Sequence, residues 1–188
     1  MKHYIIITNR PKDPDLEITR RVQELLKLRQ ASCSVYADEI PKEEWKRILL
    51  REGDRTDAIL VLGGDGTMLR AARDTADSQI PMLGINLGTL GYLTEVEKNG
   101  MEDAIDRLVA GSYQVEDRMM LCGQIYRQGR MEEENSALND ITITRCGHLR
   151  MLYFQIYVNG KLLKEYHADG IIIATPTGST GYNMSAGG

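Results

Sequence analysis

No stretch of this chain approaches the ~20 consecutive apolar residues that a membrane span needs. The apolar run at residues 4–7 is too short for a signal-peptide core, and no Ala-x-Ala cleavage site follows it. Cysteine is scarce. Cys33, Cys122 and Cys146 are odd in number, far apart and in no metal-ligand spacing, which argues against a disulfide framework and a zinc site. A basic excess is lacking too: 23 Lys and Arg stand against 27 Asp and Glu, a formal charge of −4. The chain is therefore not built as a strongly basic nucleic-acid binder. No internal repeat is present. These absences point to a soluble protein of a reducing compartment, the cytoplasm. What remains is 188 residues, 42% apolar and 27% charged. A chain of this length can bury roughly 70% of its unfolded surface, as one large domain or two small ones.

Hydrophobic patterning divides the chain in two. Residues 4–7 read as a buried strand and 15–28 as a helix, with Leu16, Val22, Leu25 and Leu26 near helical spacing. The beat repeats as strand 33–37 and helix 41–50, strand 58–62 and helix 67–76, then strand 81–85. A last helix over 101–110, with Met101, Ala104, Ile105 and Leu108 on one face, closes at Gly111 and Ser112. Strands alternating with helices predict a parallel sheet covered on both faces, an α/β domain over residues 1–112. The period then changes. Residues 118–127, 138–144, 151–158, 161–167 and 171–174 read as strands, and Asn159-Gly160 as a two-residue hairpin turn. The glutamate run 132–134 is expected in a solvated loop. Residues 113–188 are thus predicted as a β-rich domain.

Two segments carry chemistry. In Ala58-Ile-Leu-Val-Leu-Gly-Gly-Asp-Gly-Thr67 a buried strand runs into a glycine turn and then a helix. Such a junction suits phosphate, because glycines allow close backbone approach and a helix N-terminus offers free N–H donors. A tight turn with Asp65 as helix cap explains these residues equally well. The dinucleotide fingerprint G-x-G-x-x-G fails because Leu69 stands where its third glycine belongs, and no G-x-x-x-x-G-K-[ST] occurs. An acid inside a phosphate-type loop would repel phosphate unless it binds a hydroxyl or a magnesium ion. The second segment, residues 169–188, runs from Asp169-Gly170 through an apolar strand into a loop rich in hydroxyls and glycine. Such a loop can bond sugar, amide and phosphate groups, or be merely flexible.

Gly63-Gly-Asp-Gly-Thr67, Asn86-Leu-Gly-Thr-Leu-Gly-Tyr-Leu-Thr94, Ala137-Leu-Asn-Asp140, and Asp169-Gly through Thr175-Pro-Thr-Gly-Ser-Thr-Gly-Tyr182 to Ser185-Ala-Gly-Gly188 together resemble the NAD kinase family, in its order and across the whole chain. The first motif is shared with diacylglycerol kinase, sphingosine kinase and phosphofructokinase relatives; the last is specific. The resemblance implies an N-terminal α/β domain and a C-terminal β-sandwich-like domain that binds NAD. It implies transfer of phosphate from ATP with magnesium, or from polyphosphate in some members, to the adenosine 2′-hydroxyl of NAD, in a homo-oligomer. Asp65 matches the family's catalytic acid, with Gly66 beside it and Arg70 at a basic position suited to phosphate. Asn139 and Asp140 match its Asn-Glu pair, here with the acid one methylene shorter. Asp169 matches an acid near the dinucleotide and Thr177 a loop hydroxyl. Thr180, Gly181, Tyr182, Asn183, Met184 and Ser185 match the segment that wraps adenine and nicotinamide, with Tyr182 as a stacking ring. Gly181 stands where many members have Ala, and His167 occupies a place often basic. Cys146 and His148, lacking a third ligand, read as incidental. Because family members continue past Ser-Ala-Gly-Gly, the second domain is expected to be incomplete, with an open sheet edge and a mobile loop at 175–188. Two other readings stay open: a lipid kinase sharing Gly-Gly-Asp-Gly, and a binding module that holds NAD or NADP without turnover.

Overall fold

β1 (His3–Thr8), β2 (Ser32–Tyr36), β3 (Ala58–Gly63), β4 (Met82–Asn86) and the two-residue β5 (Val96–Glu97) form one parallel sheet in the order β2-β1-β3-β4-β5. The computed structural model describes all residues except 38, 90 and 148–150, and the side chain of residue 42. His148 and Leu90 therefore lie outside the described residues. Because side chains alternate across a strand, the apolar runs serve two cores at once. Tyr4, Ile6, Leu60 and Leu62 face one side, where α1 (Glu17–Leu28) contributes Val22, Leu25 and Leu26 and α4 (Met101–Ala110) contributes Ile105 and Leu108. Ile5, Ile59 and Val61 face the other, under Trp45 and Ile48 of α2 (Lys42–Glu52) and Ala71 of α3 (Asp65–Asp74). Burying each large aliphatic chain contributes about 1.5–3 kcal/mol. α4 ends at Gly111, whose φ of +74° lets its N–H turn back to the Arg107 and Leu108 carbonyls.

Two buried carboxylates hold this α/β unit. Asp13 accepts from Ile18 N at 3.2 Å, Thr19 N at 2.9 Å and Thr19 Oγ1 at 2.7 Å, tying the loop after β1 to the start of α1. Burial pushes its carboxyl up, but these bonds outweigh it and hold it below the ordinary value. Glu52, at the end of α2, accepts from Tyr36 Oη at 3.0 Å and Arg51 Nη2 at 3.0 Å, with His3 Nε2 at 3.5 Å. Burial again raises it, yet Ser34, Tyr36, Arg51 and His3 bring it down to about 2 from 4.5. A folded-state value below the unfolded one adds stability above pH 4.5 that is lost as pH falls toward 2. With Arg51 and Arg55 exposed and screened, Glu52→Gln is expected to cost about 2 kcal/mol at neutral pH. It should also flatten the acid limb of stability, read by urea denaturation at pH 7 and pH 3. Equal stability of the two proteins at both pH values would refute this.

The chain divides into two compact units, Met1–Asp117 and Arg118–Gly188. In the second, three antiparallel ladders form: β6 (Leu121–Arg127) with β7 (Arg130–Ala137), β8 (Asp140–Thr144) with β11 (Gly170–Ala174), and β9 (Leu152–Val158) with β10 (Lys161–Ala168). Asn159 and Gly160 have φ of +50° and +76°, the double positive φ expected of that hairpin turn. Gln128 and Gly129 repeat it at +49° and +76°, making a hairpin that the sequence reading missed. The run 132–134 is a correction: it lies in β7, not in a loop. Glu134 takes a bond from Gln124 across the ladder, and Glu132, the extra residue where the register shifts, pairs with Arg127 at 3.1 Å. Cross-strand partners offset the like-charge repulsion that argued for a loop.

Candidate active site

The sheet order places a topological switch between β1 and β3, where connections leave in opposite directions and open α/β sheets bind ligands at their carboxyl ends. Both strands end there in polar loops. Asn9 follows β1; its N–H donates to the Leu62 carbonyl at 2.8 Å and its Nδ2 to Thr67 Oγ1 at 2.9 Å. A β-carbon on Gly63 would overlap the Thr67 side chain, so glycine there lets the first turn of α3 fold down on the strand. Asn9 Oδ1 is buried without a hydrogen-bond partner among the described residues.

Asp65 does not cap α3, which corrects that alternative. Gly64 holds the N-cap position, and no side chain caps the helix. The Asp65 carboxylate instead reaches the loop between β4 and β5. Tyr92 N donates to Oδ2 at 2.7 Å, Leu93 N to Oδ1 at 3.0 Å and Thr94 Oγ1 to Oδ1 at 3.3 Å. Gly91 makes room, since a β-carbon there would overlap the carboxylate. Thr94 is fully buried, its methyl over Gly84. An ionised carboxylate has about four acceptor positions, so three donors orient it and leave one. Gly66 is exposed with open space beside it. Arg70, one turn on, is paired with Glu39 and half exposed, so an anion would compete with that carboxylate.

In the second unit the loop that carries Thr177 is seated on the Asn139 backbone, next to Asp140. The Asn139 carbonyl accepts Thr175 N at 2.8 Å and Thr175 Oγ1 at 3.1 Å, and Thr175 Oγ1 accepts Gly178 N at 3.1 Å. Asn139 Oδ1 is buried without a partner among the described residues, an acceptor left for something else. Asp140 stands opposite Ala174 in the ladder, its Oδ1 accepting from Thr142 Oγ1 at 3.1 Å. Helical turns follow from Ser179, kinked at Gly181, and carry Thr180, Tyr182, Asn183, Met184 and Ser185; the Tyr182 ring is largely exposed. Asp169 and His167 are not part of this group. Gly170 pairs with Thr144 and Ala174 with Asp140, so Asp169 sits five residue steps away along the ladder, about 17 Å. It is bound to Arg145 Nε at 3.0 Å, while His167 lies against Tyr153 with ring centroids 5.1 Å apart. Among the described residues no three His, Cys, Asp or Glu side chains group as metal ligands, and no helix is long and apolar enough to cross a membrane.

Sequence reasoning passed over Asn9 and Thr175 as site neighbours, and Arg145 as the partner of Asp169. Thr175 alone had a local signal, standing at the head of the hydroxyl-rich loop. Asn9 and Arg145 become visible only once the strand order is known.

Comparison with known proteins agrees with this layout. Residues 4–113 match the model of the ATP-NAD kinase N-terminal domain and residues 138–188 that of the ATP-NAD kinase C-terminal domain. The chain is 47% identical over its full length to the NAD kinase of Agathobacter rectalis, covering 66% of that protein. It is 41% identical over its full length to the NAD kinase of Lachnospira eligens, covering 65%. It thus spans slightly less than two thirds of these curated relatives. Its fold is similar to that of yeast NADH kinase complexed with NADH, with a TM-score of 0.79 at 24% identity over all of this chain and 61% of that one.

Proposed function

The chain belongs to the NAD kinase family, and from that premise we propose that it transfers the terminal phosphate of ATP, carried as its magnesium complex, to the adenosine 2′-hydroxyl of NAD. The observation that carries this reading is the Asp65 carboxylate, oriented by three donors at the switch point with one acceptor position left. In the reaction the 2′-oxygen forms a bond to phosphorus, the bond from phosphorus to the ADP oxygen breaks, and the hydroxyl proton passes to Asp65. Because the transition state is loose, that proton moves late, and Asp65 acts first by aiming the hydroxyl. Magnesium enters with the donor as part of the substrate.

In the β-rich unit, Asn139 Oδ1 and the Asp140 carboxylate are assigned to ribose hydroxyls, and Thr177 with residues 180–185 to the rest of the dinucleotide. Arg70 is assigned to phosphate in exchange for Glu39; His167 and Asp169 would meet only a ligand extended along β11. Free cysteines support the cytoplasm, and the family resemblance supports a homo-oligomer. Incubation with magnesium, ATP and NAD, followed by an NADP-specific dehydrogenase, tests the activity; NADH and polyphosphate in parallel arms identify acceptor and donor. No NADP from this chain extended to the length of its relatives would overturn the reading. If the Tyr182 ring stacks on a base, Tyr182→Ala should weaken NAD binding by about 1 to 3 kcal/mol by calorimetry. Unchanged affinity removes that role.

A further inference from the structure

Lys12 is the last residue of a short turn after β1; the residue is exposed, and its amine lies over two glycines. A β-carbon built on Gly64 would lie 2.7 Å from Lys12 Nζ, and one on Gly88 3.3 Å from it. The ammonium thus lies between the turn joining β3 to α3 and the loop leaving β4, over backbone that any side chain would crowd. Gly64 is extended at φ −145°, a conformation open to every residue. Space rather than left-handed geometry is what glycine supplies there.

The backbone beneath the amine is fixed. Lys12 N donates to the Asn9 carbonyl at 2.9 Å, and the next residue is the buried, triply bonded Asp13. The Gly88 side is fixed as well, because Gly88 N donates to Asn86 Oδ1 at 2.7 Å and Asn86 Nδ2 to the Thr89 carbonyl at 2.7 Å. Among the described residues no carboxylate pairs with Lys12. The ammonium therefore stands beside the first turn of α3, whose N-terminus carries the positive end of the helix dipole. Two positive ends this close repel unless an anion lies between them.

We infer that Lys12 clamps the terminal phosphate of the donor's phosphoanhydride chain over the Gly64 turn. Its ammonium donates hydrogen bonds to non-bridging oxygens, where charge concentrates as the phosphoryl group moves. The inference rests on the phosphotransfer reading above and names its donor-holding residue. A nucleoside triphosphate and inorganic polyphosphate share this chemistry.

Calorimetry with inorganic tripolyphosphate, ATP and NAD on the full chain tests it without relying on turnover. Lys12→Met is expected to weaken tripolyphosphate and ATP by about tenfold to a hundredfold, the range of a lost charge-assisted hydrogen bond, and NAD by less than twofold; Lys12→Arg should recover part of the loss. Gly64→Ala, which displaces the amine but fits the backbone, should weaken the same two ligands in the wild-type background and add little in Lys12→Met. Melting curves of each variant establish that it is folded. Unchanged tripolyphosphate and ATP binding in Lys12→Met overturns the clamp, as does a wild-type chain that binds neither. A loss confined to NAD would move Lys12 to the dinucleotide, and a loss confined to ATP would move it to the nucleoside; either overturns the assignment. NADP formation by the unsubstituted chain tests the parent reading separately.

Discussion

Asp65→Asn is expected to lower the rate of NADP formation by about 10² to 10⁴ and to loosen the loop at 91–94 in the same stroke. The carboxylate receives Tyr92 N on one oxygen and Leu93 N on the other. An asparagine offers one acceptor oxygen and one donor NH₂, so whichever way its amide faces, one backbone N–H meets another donor. The kinetic loss should therefore come with faster amide exchange at residues 92 and 93, followed by nuclear magnetic resonance. Turnover at the wild-type rate would leave Asp65 as a loop fastener alone.

Gly178→Ala should be the most damaging change in the β-rich unit. The Gly178 backbone, at φ −85° and ψ −7°, suits any residue; the difficulty is room. A β-carbon there would overlap the Asn139 carbonyl group. That carbonyl cannot yield cheaply, because it holds the Thr175 N–H and hydroxyl. Overpacking of this kind costs about 1–3 kcal/mol, and the strain falls on Asn139 and Thr177 together. NAD affinity is expected to drop about tenfold or more, with a lower melting temperature. A variant that melts and binds like the parent would show that the loop is not seated on Asn139 in solution.

The alternation of strand and helix through residue 110 was legible because the strands are buried on both faces and read as unbroken apolar runs. Asn159-Gly160 was legible because its residue types fit a double positive φ. Gln128-Gly129 performs the same turn with glutamine first, and nothing in that residue announces it. β7 was hidden for a different reason. It lies in a ribbon with both faces largely exposed, so no alternation marks it, and its three glutamates look solvated until Gln124 and Arg127 are seen beside them. The candidate residues divide likewise. Asp65 and Asn139 stand inside motifs, whereas Lys12 has no motif and acquires meaning only when β1 and β3 prove to be neighbours. That Asp65 would bond to the loop after β4 instead of capping its own helix is a tertiary fact, set by Gly91 and Thr94 across 26 and 29 residues of sequence.

The donors that orient Asp65 come from residues 92–94, immediately before β5, which joins the sheet through only two pairs, Ile85 with Val96 and Asn86 with Glu97. An edge this short opens at far lower free energy than the strands at the centre of the sheet. The Asp65 carboxylate is thus fastened beside a short edge of the α/β unit. If Asp65 serves the proposed transfer, gentle heating is expected to remove competence in a local transition while β1 and β3 stay paired, which puts the thermal limit of activity below that of the fold.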